Sequence, residues 1–214
     1  MKRKILIISL IITIFSINTV FAEFQFHINP KLGVDMGIAN YNDYNTLNFN
    51  YKANLNMQIG YGFGVDSDIL DNVGLLFDFG LDNNTFTTST KYDANQQAAV
   101  KLLSSSSYLS VYTGLALNFE CDNNVFFAIA SGTKFGVGGD KLNLKTPIIS
   151  PYVRLTFGET LVEKEFYSMS VMLDLEYQYN IFDNADYYKL FIIDNVKNYH
   201  DLSITLGLGI KFGN

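Results

Sequence analysis

Two histidines, one cysteine, two groups of glycines and a scatter of charged side chains are the residues of this 214-residue chain whose types could do chemistry. Histidine is the side chain best suited to proton transfer near neutral pH, and His200 is followed by Asp201 and Ser203. A serine nucleophile needs its base within hydrogen-bond reach. On an extended segment residues 200 and 203 point to opposite faces, so nucleophilic catalysis by this pair is not expected. His200 is read as a solvated loop histidine at the outer end of the last strand, and His27 as facing inward on the first. Cys121 alone can build neither an intrachain disulfide nor a structural zinc site. Gly60, Gly62 and Gly64, and Gly136, Gly138 and Gly139, precede no helical pattern, so neither group is expected to cradle phosphate. No metal and no cofactor is assigned, and the chain is expected not to be an enzyme.

The charged residues carry more information because of where they fall. Lys31, Asp35, Lys52, Asp78, Glu120, Lys134, Arg154, Asp174, Glu176 and Lys211 each occupy the polar phase of a two-residue alternation. The longest such run is Thr46 to Asp66. There Leu47, Phe49, Tyr51, Ala53, Leu55, Met57, Ile59, Tyr61, Phe63 and Val65 alternate with Asn, Lys, Gln and Gly. Period-2 alternation puts one set of side chains on each face of a strand. Seven more runs follow the same rule: Phe24 to Ile38, Val73 to Leu81, Leu109 to Phe119, Phe127 to Val137, Val153 to Phe157, Tyr167 to Ile181 and Leu202 to Phe212. That makes eight strands.

A sandwich in water also alternates, so three further features decide the environment. Most runs reach the roughly 9 to 11 residues that a membrane-crossing β-strand needs, against an ordinary strand of about 5 to 6. The links after strands 2, 4 and 6 are short, at DSDILDN from Asp66, CDNN from Cys121 and GETLVEKE from Gly158. Those after strands 3 and 7 are long, about Asp82 to Ser107 and Phe182 to Tyr199, and those after strands 1 and 5 are intermediate. Such sorting predicts tight turns at one end of a barrel and larger loops at the other. The aromatics sort too. Phe24, Phe26, Tyr61, Phe63, Phe119, Phe127, Phe157, Tyr167 and Phe212 fall at the short-turn end, and Phe49, Tyr51, Tyr177 and Tyr179 at the opposite end. Two aromatic belts are what two lipid–water interfaces select.

Composition excludes other classes. Lys2, Arg3 and Lys4, the apolar stretch Ile5 to Phe15, and Val20-Phe21-Ala22 have the layout of a secretory signal. Residues 1–22 are therefore expected to be cleaved, leaving 23–214 as one barrel domain. That part holds 12 Lys and Arg against 21 Asp and Glu, which argues against a nucleic-acid partner. It contains no stretch of 18 apolar residues, which excludes helical spans. Lipid leaves an open sheet no partner for its edges, so the sheet must close. The expected fold is all-β, an eight-stranded antiparallel up-and-down transmembrane β-barrel.

At this point the chain resembles the OmpA/OmpX-type small outer-membrane barrels of diderm bacteria, in pattern over Phe24 to Phe212 rather than in residue identity. The most specific piece is Thr205-Leu206-Gly207-Leu208-Gly209-Ile210-Lys211-Phe212, which looks like the family's terminal assembly signal on Thr205, Gly207, Ile210 and Phe212. The chain departs from it by ending in Gly213-Asn214. The resemblance implies an outer-membrane location and recognition by the barrel-assembly machinery.

An eight-stranded interior is just wide enough for side chains to fill, so the inward charges are expected to pair. Arg154 with Asp174 or Glu176 is the leading pair, because a guanidinium can grip a carboxylate at two points. The functional expectation is a surface protein with a structural or interaction role. Its external loops, residues 83–106 and 183–198, would meet an extracellular ligand, with outer-membrane lipid around the wall. A narrow, porin-like solute pore is the alternative, and a lipid-modifying enzyme a distant third.

Overall fold

The computed structural model describes residues 22–41, 45–88, 104–121, 123–139, 149–180 and 196–213. They form eight strands: β1 (Ala22–Tyr41), β2 (Asn45–Gly64), β3 (Leu70–Thr88), β4 (Ser104–Cys121), β5 (Val125–Gly139), β6 (Ile149–Lys164), β7 (Tyr167–Asn180) and β8 (Val196–Phe212). Each pairs antiparallel with its neighbours in the chain, and β1 also pairs with β8, so the sheet closes into an up-and-down barrel. This is the architecture expected from the alternation. The segment 1–22 that is expected to be cleaved lies outside the described residues apart from Ala22 at the start of β1.

The register fixes the shape. Pairing leads from Phe26 to Ile59, Phe77, Leu115, Ser131, Val153, Tyr177 and Leu202, then back to β1 at Met36, ten residues beyond the start. Such a stagger obliges the strands to tilt, typically by about 35 to 45° in a closed barrel. It also leaves a narrow interior.

Polarity is inverted relative to a protein packed in water. Leu32, Leu115 and Leu206 on the outside are 70%, 62% and 68% exposed, while inward-facing Asn56, Asp78 and Asp82 are 0% exposed. The buried apolar cluster is small, comprising Leu76, Tyr112, Ala116, Ala130 and Tyr152. The apolar phase of every run lies outside and the polar phase inside.

The strands run further than the alternation alone indicates, and this corrects several expectations. The link after β6 is Glu165-Phe166 only, because Gly158 to Lys164 continue the strand and turn back through a register shift between Thr160 and Val162. Only residues 42–44 separate β1 from β2, so that link is short rather than intermediate. The expected sorting of shorter links to one end and longer links to the other fails there. Residues Asn83–Thr88 belong to β3, Ser104–Ser106 to β4, and Val196–Asn198 to β8, so the segments 83–106 and 183–198 begin or end within the wall. Their middle parts, with Ile181, lie outside the described residues. Extended pairing satisfies backbone N–H and C=O groups wherever both strands continue. Hydropathy stops alternating before pairing stops.

Glycine serves close approach here. A Cβ on Gly60 would stand 2.2 Å from the Leu75 backbone oxygen, so the neighbouring strand itself fills the space that a side chain would take. Gly213 takes φ 109°, a left-handed conformation that lets its N–H point to the Phe166 carbonyl beyond the last strand. No helix follows either glycine group among the described residues.

Gly60→Ala is expected to destabilise the barrel by about 1 to 3 kcal/mol through backbone displacement. Gly74→Ala, whose Cβ would meet the Asn118 side chain at 3.3 Å, is expected to cost less. The temperature at which the compact, fast-migrating gel form disappears measures both; equal behaviour of the two variants would contradict the close-approach account.

Candidate functional site

The alternation turns eight polar faces inward, and the register brings their charged members to one level of the lumen. Asp78 on β3 is the centre. Arg154 Nη2 donates to both of its oxygens, at 2.6 and 2.7 Å. Tyr152 Oη donates to Oδ2 at 2.5 Å, and Asn56 Nδ2 and Gln58 Nε2 donate to Oδ1 at 2.7 and 2.9 Å. The carboxylate is thereby surrounded by donors from the adjacent strand β2 and, across the lumen, from β6.

A second focus lies beside it. Glu176 accepts from Lys52 at 2.8 Å and from Lys134 at 2.5 Å. Asp82 is paired with Lys134 and lies 3.4 Å from Lys52, and Lys31 is paired with Asp174. The interlinked layer thus holds four cations, Lys31, Lys52, Lys134 and Arg154, against four carboxylates, Asp78, Asp82, Asp174 and Glu176. Aromatic rings press on the cations. Arg154 Cζ sits 5.6 Å from the ring centroids of both Tyr112 and Tyr152, and Lys134 Nζ lies 5.6 and 5.3 Å from the same rings.

Arg154 reaches both expected carboxylates and a third, Asp78, more closely. Asp78, across the lumen, takes its closest bonds, whereas Asp174 and Glu176 stand 3.7 Å from Nε and Nη1. Pairing puts Glu176 directly beside Arg154 on β7, but adjacent inward side chains project side by side, and a long guanidinium reaches across a narrow interior more easily than it folds back. The lysines then take Asp174 and Glu176.

The other charges separate from this layer. Lys211 holds Glu120 at 2.8 and 3.0 Å near the short-turn end, where both are part-exposed. Asp35 lies on the loop side, in the field of Lys52 and Asp82, and forms no ion pair with another described residue. The sequence pattern does not reveal Asp82 and Asp201, both buried in the lumen, because the apolar alternation stops at Leu81 and starts at Leu202. Carrying the inward phase two residues further would have found them. It also missed Tyr112 and Tyr152, whose inward phase was plain, because aromatics were assigned to the belts.

His27 is buried inside, with Nε2 3.4 Å from Gln25 Oε1. His200 is a strand residue on the outer face rather than a solvated loop histidine. Its Nδ1 shares a 2.6 Å hydrogen bond with Tyr177 Oη, and its ring packs on Tyr179 at 5.1 Å. Ser203 is buried on the opposite face, so the two point apart as their spacing requires. Among the described residues no three His, Cys, Asp or Glu side chains form a metal-holding group.

Arg154→Met would leave the Asp78 charge buried without its counter-ion, and breaking such a pair costs about 3 to 5 kcal/mol. The folded gel form should then be lost at distinctly lower urea concentration. Unchanged stability would contradict the central role of this pair.

No family model matches the chain, and no curated protein matches it. Among solved structures it is similar to Ail, the attachment invasion locus protein of Yersinia pestis. One of these structures, in complex with the heparin analogue sucrose octasulfate, has 10% sequence identity and TM-score 0.40, with 88% of this chain and 99% of that chain covered. A second Ail structure gives 12% identity and TM-score 0.40, with 87% and 98% covered. Neisserial surface protein A gives 13% identity and TM-score 0.41, with 87% and 96% covered.

Proposed function

We propose that this chain is an integral outer-membrane barrel of a diderm bacterium whose lumen is plugged and whose role is structural or surface interaction. One observation carries the reading: a closed sheet presents an apolar wall outward and a polar, ion-paired filling inward. Water would reward the reverse arrangement, whereas hydrocarbon requires this one.

The dimensions of the wall agree. Tyr61 and Tyr51 on β2 are ten residues apart, which at about 3.3 Å per residue and a tilt near 40° is about 25 Å of height, the thickness of an outer-membrane apolar band. Around the lower rim Phe24 meets Tyr61 edge-on at 6.0 Å, Phe119 stacks on Phe127 at 4.6 Å, and Phe26 stacks near Phe212 at 6.3 Å. Phe49, Tyr51, Tyr177, Tyr179 and His200 ring the other end. Outer-membrane lipid is the proposed surrounding partner.

Thr205, Gly207, Ile210 and Phe212 all lie on β8, the strand that closes the barrel against β1, and we assign them to recognition by the barrel-assembly machinery. Contact with an extracellular ligand is assigned to the loop-side end, through segments 83–106 and 183–198. Export by a signal cleaved after Ala22 completes the reading.

The plug bears on the pore alternative. Asp78 and Asp82 are 0% exposed and Lys134 1%, so water does not reach the central layer. Purified protein in a planar bilayer is expected to give no discrete conductance steps, and regular steps would favour the pore. In cells the chain is expected to fractionate with outer membranes, begin at Glu23 and shift gel mobility on boiling. Recovery in a soluble fraction would overturn the assignment.

A further inference from the structure

Below the ion-paired layer the lumen widens into a cavity of about 550 Å³ that opens at the short-turn end. The size falls within the range of small-molecule sites. Its inner end is sealed by the neutral layer around Asp78, so it is a cup rather than a passage. The assigned surface role makes no use of it, and it lies at the opposite end from the loops.

Its lining has an unusual chemical balance. Deeper in the cup Lys31 is matched to Asp174 and Lys211 to Glu120, while the other carboxylates of the lining, Glu23, Asp71 and Glu163, are exposed. What they leave is a wall of amides and hydroxyls, such as Asn29, Asn56, Gln58, Asn118, Thr156 and Ser170, each able to donate or accept. Some of that capacity is unused. Asn118 is 5% exposed, its Nδ2 donates to Glu120 Oε1 at 3.2 Å, and this fixes its Oδ1 as a buried acceptor with no partner. A buried polar group left unmet is costly, and a ligand hydroxyl in the cup would offer Asn118 the donor it lacks.

One side of the cup is different. Phe126 is the aromatic residue among its described lining residues, and it faces inward between Glu120 and Gly158 in the register. A Cβ on Gly158 would stand 2.3 Å from Phe126 Cζ, so the absent side chain is what lets the ring lie against the wall. Ala128 and Met172 extend this apolar face. At the mouth stand Glu23 and Glu163, both exposed, which disfavour an anion entering.

A rim that repels anions, a neutral wall that donates and accepts, and a single flat apolar ring together specify a ligand with polar groups around its edge and an apolar C–H face. We infer that the cup is a binding site for a short neutral saccharide of one or two rings, stacked on Phe126 and hydrogen-bonded through Asn118. The inference stands on the cup's geometry and is independent of the membrane reading.

The test uses the full mature chain folded in detergent micelles, with N,N′-diacetylchitobiose as probe and galacturonate as an anionic sugar control. Ligand-observed saturation-transfer NMR is expected to show saturable binding of the disaccharide with Kd on the order of 1 mM. Phe126→Ala and Asn118→Ala, each verified as folded by gel mobility, should weaken it by about fivefold or more. Because Cys121 lines the same cavity as the sole cysteine, the disaccharide should also slow alkylation of Cys121 in the unmutated chain, a readout that needs no variant to fold. No saturation up to the solubility limit, undiminished binding by Phe126→Ala, or equal binding of galacturonate would overturn the inference.

Discussion

Closure of the sheet is the constraint on which everything else rests. A strand carries a donor and an acceptor at nearly every residue, and an edge leaves them unmet. Here β1 pairs with both β2 and β8, so no edge exists within the ring. Once the edge is gone, the outer surface can be as apolar as hydrocarbon demands, because no backbone group needs water there. The same closure confines the inward side chains to a narrow lumen, where each must find its partner among its fellows.

That confinement explains the balance of the central layer. A buried charge is costly alone, and a buried pair becomes tolerable only when its remaining hydrogen-bonding capacity is met. On the Asp78 side both oxygens are met, by Arg154, Tyr152, Asn56 and Gln58; Arg154 turns its remaining Nε and Nη1 toward Asp174 and Glu176 at 3.7 Å, and the lysines share Asp82, Asp174 and Glu176. The tyrosines cover the cations with ring faces rather than water. A filling of this kind separates two chemically different ends: a cup at one, and strands leading into loops at the other.

Much of this was legible in the sequence, and the reason is the strictness of the two-residue period. Wherever both faces are sharply different, as over Leu47 to Val65, the strand and its orientation can be read directly. Legibility faded where the contrast did. Thr85 to Thr88 and Ser104 to Ser107 pair with one another through backbone geometry, with little hydropathy contrast to announce it. The charged residues on the inward phase could be named, but not their partners. Period-2 spacing says which face a side chain takes and nothing about who stands across the lumen, so it points Arg154 to Asp174 and Glu176 on the next strand, which it reaches, and not to Asp78, which it holds most closely. Asp82 and Asp201 are hidden for a related reason: they lie where β3 and β8 continue beyond the stretch that apolar alternation marks. The cup is the least legible feature, since Phe126 gains its meaning only from the missing side chain at Gly158.

The most direct test of the inverted polarity is a cysteine scan along β8. With Cys121 replaced by serine, single cysteines at residues 202 to 208 would carry a fluorophore in the folded protein reconstituted in bilayers containing lipid-attached nitroxide quenchers. Labels at Leu202, Ile204, Leu206 and Leu208 are expected to be strongly quenched by the lipid probe, and those at Ser203, Thr205 and Gly207 weakly. Equal quenching at all positions, or strong quenching at the second set alone, would contradict an outward face in contact with acyl chains.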